Sequence, residues 1–331
     1  MIILPPKHGR LVLSVVMGVY NGENAIADTI DSILSQTFTD FEFIIINDGS
    51  TDATSGILER YAAKDRRIRV IGQGNTGLTR ALIRGCRKAK GTFIARQDVG
   101  DISMPVRFEK QICLLESDDR LVFSSCWAKM LGPGEEILDE IKRAGDPEKA
   151  TKELLYAKQG PPCHGTVIFS KEAYGKAGGY REQFYYGQDS DLWLRMARTG
   201  LIGYVQEFLY EFKFTHRDIS FLRRDLQKKF GEIGQACHKA RMAGKSENFY
   251  LTKALETKKR IIEKPEEGRQ KLYKMNYFIG SCLLKRKDQR ALGYLKKALR
   301  ENPFYWRTWM RLIQIVIINA IKLWLDRIRK I

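Results

Sequence analysis

Residues 11–54 read LVLSVVMGVYNGENAIADTIDSILSQTFTDFEFIIINDGSTDAT, and this stretch decides the fold. The runs 11–19 and 41–47 are apolar and rich in β-branched residues, which is typical of buried strands. Between them, apolar residues recur at helical spacing over 24–36. A strand, a helix and a second strand in this order predict a parallel pair joined by a right-handed crossover.

The same alternation continues to residue 95. Helical spacing covers 57–63 and 77–90, and short apolar strands are predicted at 68–71 and 92–95. We therefore expect an α/β fold with a mostly parallel sheet flanked by helices.

Three polar loops follow strands of this sheet, at 20–24, 48–52 and 96–101. Each loop alone is also explained as a turn with a helix cap. Because ligands of such sheets bind at the carboxyl ends of the strands, the three loops together predict a binding site.

Further motifs follow in order along the chain. They are GNTGLTRAL (74–82), GTFIARQDVGDISMPVRFEKQ (91–111), HGTVIFSKEAYGKAGGYREQF (164–184), YGQDSDLWLRMARTG (186–200) and LYEFKFTHRDIS (209–220). Together with 11–54, these segments resemble family 2 glycosyltransferases, whose fold is the GT-A nucleotide-sugar fold. The resemblance covers residues 11–220 and implies transfer of a sugar from a nucleotide sugar.

The resemblance implies a nucleotide site at the first loops. It places Tyr20 against the base and makes Asp48 the acceptor of a base N–H, with Glu23, Arg80 and Asp98 in the same pocket. Glu23 alone is also explained by the first turn of a helix, where an acid is favoured. Arg80 alone is equally typical of a solvated helix face.

The resemblance also implies a divalent cation, Mn²⁺ or Mg²⁺, bound by a D-x-D motif that usually reads D-A-D-D. Here the residues are Asp98-Val99-Gly100-Asp101, so glycine stands where relatives have the middle carboxylate. Hard cations prefer carboxylate oxygens, and the resemblance adds His216 to the metal candidates Asp98 and Asp101. Either Asp101 or water fills the place of the lost ligand, or metal binding is weakened, or activity is lost.

The catalytic base is implied by the segment 186–195, which resembles E-D-x-D-L-W-x-R. By position Asp189 is the base of an inverting enzyme, and a positioned carboxylate contributes about 10²–10⁴-fold to such a step. Gln188 replaces the usual glutamate. We assign Gln188, Asp191 and His164 to the acceptor side, although Asp191 is also explained as a helix cap and His164 as a structural histidine.

The net charge of +18 is confined to the last third of the chain. Residues 1–220 hold 29 basic and 29 acidic residues, whereas 221–331 hold 28 basic and 10 acidic ones. We therefore expect a glycosyltransferase domain over 1–220 and a basic helical region over 221–331. The region shows no recognised nucleic-acid-binding motif, so nucleic acid is not expected as a partner.

The basic region contains two features. Residues 272–303 resemble one tetratricopeptide unit, and an ordinary helical hairpin explains them equally well. Residues 307–331 predict an amphipathic helix with basic residues on one face and tryptophans near both ends. Such a helix favours a position in a membrane interface. Packing of this helix on the catalytic domain is the alternative.

Three features of the sequence bear on the cellular location of the protein. The six cysteines form neither a C-x-x-C pair nor a regular ladder, which favours a reducing compartment. Residues 1–10 lack a signal-peptide core, and the chain has no apolar run long enough to span a membrane. We expect an inverting, metal-assisted transferase, peripheral on the inner face of the cell membrane, that uses a UDP-sugar and a glycan or lipid-linked acceptor. The alternative is a catalytically weakened scaffold of the same fold.

Overall fold

The computed structural model describes residues 11–156, 161–214, 223–263 and 272–328. The chain divides into two compact units. The first holds the described parts of Met1–Ala128, Ile141–Phe212 and Asp225–Pro265, and the second holds those of Lys129–Glu140, Lys213–Arg224 and Glu266–Ile331.

The first half of the chain alternates strands and helices as expected. The elements are β1 (Leu13–Val19), α1 (Ile26–Leu34), β2 (Phe41–Asn47), α2 (Thr54–Lys64), β3 (Ile68–Gly72), α3 (Leu78–Lys88), β4 (Phe93–Arg96), β5 (Ile102–Ser103) and α4 (Arg107–Ser117). The strands β3, β2, β1 and β4 lie side by side in that order and are parallel. The predicted α/β fold class is therefore confirmed.

The sheet then continues with antiparallel strands. The following elements are β6 (Leu121–Leu131), β7 (Ile137–Ile141), α5 (Pro147–Tyr156), a 3₁₀ turn (His164–Thr166), β8 (Ile168–Ser170), α6 (Lys171–Lys176), α7 (Gln188–Met196) and β9 (Leu201–Lys213). The order of the sheet is β3-β2-β1-β4-β8-β6-β9-β5, with β7 paired to β6. Because β8 runs antiparallel to β4 and to β6, the described sheet is mixed, and its parallel part carries the predicted loops.

Both faces of the parallel strands are buried, which explains their nearly continuous apolar sequence. In β1, Val15 and Met17 face one core, together with residues of α1, α2 and α4. Val16 faces the other core, with residues of α3 and α7. Gly85 of α3 lies so close to β1 that an added Cβ would come within 2.5 Å of the Val16 side chain. A glycine is therefore needed for this helix to pack on the sheet.

Two helices that follow residue 220 belong to the first unit. These are α8 (Arg224–Met242) and α9 (Asn248–Glu263). Phe230, Cys237 and Ala254 pack around Phe184, which lies just before α7. The domain boundary at 220 stays a prediction, and the contacts group these two helices with the sheet.

The second unit contains the last three helices, α10 (Leu272–Lys285), α11 (Ala291–Glu301) and α12 (Trp306–Ile328). The first two form a packed hairpin, in which Gly280 leaves room for Leu295: an added Cβ would lie 2.7 Å from the leucine side chain. Ile279, Leu283 and Ala291 form a small core with residues from the other segments of this unit. The helical extension expected from the sequence is thus present.

Candidate active site

The first two polar loops are hydrogen-bonded to each other. The Asn21 carboxamide oxygen accepts the Thr51 N–H at 2.8 Å, and the Gly22 N–H donates to the Thr54 hydroxyl at 2.9 Å. Asn21 has a φ of 51°, a left-handed conformation that Asn tolerates better than most residues. These bonds bring the carboxyl ends of β1 and β2 together into one surface.

Tyr20 and Glu23 are both exposed at this edge. The Tyr20 residue is 50 % exposed, so its ring is available for stacking. One carboxylate oxygen of Glu23 accepts the Ala53 N–H at 3.0 Å, just before α2 begins. Glu23 therefore stabilises the start of α2, and its nucleotide-binding role stays a prediction.

Asp48 is buried and accepts four hydrogen bonds from the segment before α3. One oxygen accepts the Gln73 amide at 2.7 Å, the Thr76 N–H at 2.9 Å and the Thr76 hydroxyl at 3.2 Å. The other oxygen accepts the Gly77 N–H at 2.8 Å. Asp48, which the family resemblance predicts to bind the nucleobase, thus also fixes the loop before α3.

Arg80 lies in the first turn of α3 and forms an exposed ion pair with Glu182, at 3.0 Å. Exposed pairs contribute little to stability, typically about 0.2–1 kcal/mol. An incoming phosphate group could therefore replace Glu182 as the partner of Arg80 at small cost.

Asp98 follows β4 and is held by a buried arginine. The Arg96 guanidinium is 0 % exposed and donates to one Asp98 oxygen at 2.6 Å. The Asp98 side chain is 33 % exposed. One oxygen of the carboxylate therefore points into the protein, and the group as a whole still reaches the surface.

Gly100 and Asp101 complete this loop. Gly100 has a φ of 93°, a conformation that residues with a side chain rarely adopt, and its N–H donates to the Thr29 hydroxyl. The buried Tyr210 hydroxyl donates to Asp101 at 2.8 Å. The backbone at residue 100 thus adopts a conformation that favours glycine.

The predicted cation site stays a prediction. No group of three His, Cys, Asp or Glu side chains in the described ranges is arranged to hold a metal ion. His216 lies outside the described residues. Mg²⁺ commonly binds one or two carboxylates together with substrate phosphates. Asp98 fits that requirement as a surface carboxylate, and it would hold the ion.

His164 lies in the 3₁₀ turn before β8 and is neutral. Its Nε2 atom is 3.1 Å from Arg96 Nε and 2.7 Å from the Tyr180 hydroxyl. Arginine can only donate, so Nε2 is an acceptor and the ring proton is on Nδ1. Burial and the Arg96 charge lower the pKa of His164 to about 3.

Asp189 lies in the first turn of α7, after Gly187, which has a φ of 65°. Burial raises the pKa of Asp189, and the negative charge of Asp98 adds to this effect. The N–H groups of Ser190 and Asp189 and the charge of Arg96 act in the opposite direction. Asp189 and Asp98 are therefore close enough to interact, although they are far apart in the sequence. The neighbouring Gln188 is buried.

Asp191 is completely buried and pairs with Arg195, at 2.7 Å. Arg181 and Arg241 lie 3.7 and 4.0 Å from its second oxygen, and both arginines also contact Glu247. A contact between Asp191 and an acceptor would need a rearrangement, because the residue has no exposed surface. The acceptor-side role of Asp191 stays a prediction.

The structure brings together Asp98, Asp101, His164 and Asp189 from three separate segments of the chain. Arg96, Tyr180 and Tyr210 connect them and were not anticipated from the sequence. An arginine in the otherwise apolar strand Phe93–Arg96, two residues before Asp98, was the one available signal for this cluster.

Comparisons with known proteins identify the family of the chain. The sequence profile of Glycosyl transferase family 2 matches residues 14–178. EpsE of Bacillus subtilis, which carries the name of a glycosyltransferase, is 34 % identical over 73 % of this chain and 87 % of its own. The O-antigen biosynthesis glycosyltransferase WbnJ of Escherichia coli is 33 % identical over 56 % of this chain and 71 % of its own.

Solved structures show the same fold at low identity. S. aureus TarS 1-349 in complex with UDP-GlcNAc has a TM-score of 0.57 at 14 % identity, covering 88 % of this chain and 89 % of that one. The mannosyltransferase PcManGT of Pyrobaculum calidifontis, in complex with GDP-Man and Mn²⁺, has a TM-score of 0.53 at 16 % identity, covering 96 % and 88 %. The chain belongs to glycosyltransferase family 2. It is a GT-A-like enzyme that transfers a sugar from a nucleotide sugar.

Proposed function

We propose that this chain is an inverting glycosyltransferase in which Asp189 is the general base. The observation that supports this most strongly is the environment of Asp189. Its carboxylate lies at the start of a helix, beside Asp98, and burial raises its pKa. A base is most effective when its pKa approaches the working pH, so a raised pKa suits the removal of a proton from a hydroxyl group.

The reaction assigns one task to each part of the site. Asp189 accepts the proton of the acceptor hydroxyl, whose oxygen attacks the anomeric carbon of the donor sugar. The bond from that carbon to the diphosphate oxygen breaks on the opposite face, which inverts the anomeric configuration. The diphosphate leaves toward the loop of Asp98 and Asp101.

We further propose that the donor is a UDP-sugar. Tyr20 offers an exposed ring for the base, and Asp48 lies beside it in a loop fixed by hydrogen bonds. The TarS structures contain UDP or UDP-GlcNAc, which favours uracil, whereas PcManGT contains GDP-Man. Titration with UDP, GDP and ADP should give the tightest binding for UDP.

A divalent cation is part of the proposal. Bound at Asp98, Mn²⁺ or Mg²⁺ would neutralise the charge of the leaving diphosphate. Asp101 is held by Tyr210 and is the second candidate ligand, and His216 is the third. Binding of UDP should tighten when Mn²⁺ is added, and Asp98→Ala should remove the increase.

The loop at Gly100 also favours a second candidate function, a scaffold with little catalytic activity. Glycine stands where the D-x-D motif of the family has a carboxylate, and its φ of 93° favours glycine over a residue with a side chain. Calorimetry with UDP in the presence and absence of Mn²⁺ separates the two functions. Metal-dependent UDP binding supports the transferase, and UDP binding unchanged by Mn²⁺ supports the scaffold.

We propose that α12 attaches the enzyme to a membrane surface. Arg307 and Gln314 of this helix are exposed. Its exposed apolar residues form a stripe: Trp306, Trp309, Met310, Ile313, Val316, Ile317, Ile321, Trp324 and Leu325. Thr308, on the other side, is buried. No described helix is long and apolar enough to cross a membrane. An exposed apolar stripe with tryptophans is typical of a helix lying in the interface.

Vesicle sedimentation tests this attachment. The full chain should bind vesicles that contain anionic lipid, and serine at Trp306, Trp309 and Trp324 should release it while the melting temperature is unchanged. Binding that survives these substitutions would contradict the interfacial helix.

The acceptor is proposed from chemistry and from the relatives. A hydroxyl of a growing surface glycan, free or lipid-linked, at the inner face of the cell membrane, fits a transferase with such a helix. The name of WbnJ, an O-antigen biosynthesis glycosyltransferase, points to the same class of product. Screening nucleotide sugars for hydrolysis and for thermal stabilisation would identify the donor first.

A further inference from the structure

Arg96 is a cation in a place where the fold alone would accept an apolar residue. It ends β4, its side chain is completely buried, and the strand residues before it are apolar. Moving a guanidinium from water into the interior is costly unless each charge and donor finds a partner. The partners of Arg96 therefore indicate what the residue does.

Two of its partners belong to the backbone beneath the site. The Nη1 atom donates to the carbonyl oxygens of Val16 and Gln97. These bonds hold the guanidinium in one orientation against the middle of β1 and the end of β4. They are made to neutral groups, so they fix the position of the charge without neutralising it.

The other two partners are side chains of the active site. Nη2 donates to Asp98 at 2.6 Å, and Nε donates to Nε2 of His164 at 3.1 Å. One planar guanidinium thus connects the loop after β4 with the 3₁₀ turn before β8. The fork geometry lets arginine make both bonds at once, which the single ammonium of lysine does not do.

We propose that Arg96 is a positioning residue of the transferase, which orients the Asp98 carboxylate and fixes the tautomer of His164. This inference rests on the proposed function of the site. Gly100 supplies no carboxylate to the motif. Asp98 is partly exposed, and its orientation is fixed by the buried Arg96 guanidinium. Arg96 keeps one Asp98 oxygen directed inward, which leaves the second for the diphosphate or its cation. It also keeps Nε2 of His164 unprotonated, so that the ring offers an N–H only at Nδ1.

Two variants test the proposal against a matched control. Arg96→Met removes the charge and all four hydrogen bonds, and Arg96→Lys keeps the charge without the fork. Arg107→Met is the control, because Arg107 is equally buried but bonds to Gln97, Ser103, Gln111 and the Arg96 carbonyl instead of Asp98 or His164. Partners that orient site ligands typically contribute about 10–100-fold.

We expect Arg96→Lys and Arg96→Met to lower kcat about 10–100-fold with the KM for the donor within a few-fold. Mn²⁺ should also tighten UDP binding less than in the wild type. Arg107→Met should lower the melting temperature but leave kcat of the folded protein within a few-fold of wild type. Equal losses of kcat in Arg96→Lys and Arg107→Met, or unchanged kcat in Arg96→Lys, would overturn the proposal.

A spectroscopic readout does not depend on activity. ¹⁵N NMR of the histidine rings should show His164 protonated at Nδ1 alone in the wild type, and a mixture of tautomers in Arg96→Lys. A wild-type His164 protonated at Nε2 would refute the inference even in an active enzyme. A correct tautomer in an enzyme without transferase activity would instead contradict the proposed function and leave the geometry of Arg96 intact.

Discussion

Replacing Asp48 by alanine should destabilise the first unit, because Asp48 accepts four hydrogen bonds from the loop before α3. The substitution leaves the N–H groups of Thr76 and Gly77 and the amide of Gln73 without their acceptor. Asp48 is only 3 % exposed, so water replaces the carboxylate poorly.

The expected magnitude follows from these contacts. A buried donor left without a partner costs about 1–3 kcal/mol. The three donors belong to the exposed Thr76 and to the half-buried Gln73 and Gly77, so each should cost about 1 kcal/mol and together about 3 kcal/mol. At roughly 2–4 °C per kcal/mol for a unit of this size, the melting temperature should fall by about 6–12 °C.

Thermal and urea denaturation of Asp48→Ala and Asp52→Ala would measure the effect. Asp52 is the matched control, since it lies in the same loop and accepts the N–H groups of Thr54 and Glu23 at the start of a helix. Loss of such a cap costs about 0.5–2 kcal/mol. If Asp48→Ala is no less stable than Asp52→Ala, the structural role of Asp48 is refuted.

Three further predictions concern Gly100, Glu247 and Asp189. Gly100→Asp and Gly100→Ala should lower stability equally, by about 1–3 kcal/mol, because both require a side chain at a φ of 93°. A clearly smaller loss in Gly100→Asp than in Gly100→Ala, measured by urea denaturation, would contradict this. Glu247→Gln should cost about 1–3 kcal/mol at pH 7 through weakened bonds to Arg181 and Arg241, whereas Glu232→Gln, at an exposed pair, should cost almost nothing. Although burial opposes it, the arginines lower the pKa of Glu247, so the deficit should shrink as the pH falls below the ordinary value of 4.5. Asp189→Asn should melt at or above the wild-type temperature at pH 7, because burial raises the pKa of Asp189 and its ionised form therefore weakens the fold. The difference in melting temperature should disappear below pH 3.8. A variant that melts below the wild type at pH 7 would contradict this prediction.

The parallel half of the fold could be predicted from the sequence, since its information is local. Apolar runs that are buried on both faces, such as 41–47, need no knowledge of their neighbours to be recognised. The antiparallel strands were not predicted, because pairing of β8 with β4 and β6 joins segments far apart in the chain. The grouping of α8 and α9 with the sheet depends on similarly distant contacts around Phe184.

The candidate site was predicted only as far as the family motifs reach. Tyr20, Asp98 and Asp189 follow from motif positions, and the structure places the latter two close enough to interact. Arg96 stands out in the otherwise apolar strand β4, but the strand does not show which groups it bonds. Tyr210 is one of several aromatic residues in β9, and no pattern distinguishes it from the others. Their roles depend on which distant side chains they bond, and this becomes visible only when the chain is folded.

The exposed apolar stripe of α12 was predicted only in part from the sequence. Helical spacing predicted an amphipathic segment, but it left open which side faces solvent. The structure shows Trp306, Ile313 and Trp324 exposed. A contiguous exposed apolar surface commonly marks an interaction site, and we propose that this one binds a membrane.

The central claim is that Asp189 is the base of sugar transfer, and turnover of Asp189→Asn tests it most directly. With the donor identified by the nucleotide-sugar screen, the rate of UDP release would be compared between wild type and variant at equal donor saturation, with UDP affinity measured alongside. We predict a loss of about 10²–10⁴-fold in turnover with UDP affinity unchanged. Turnover within a few-fold of wild type would contradict the assignment of Asp189 and with it the proposed mechanism.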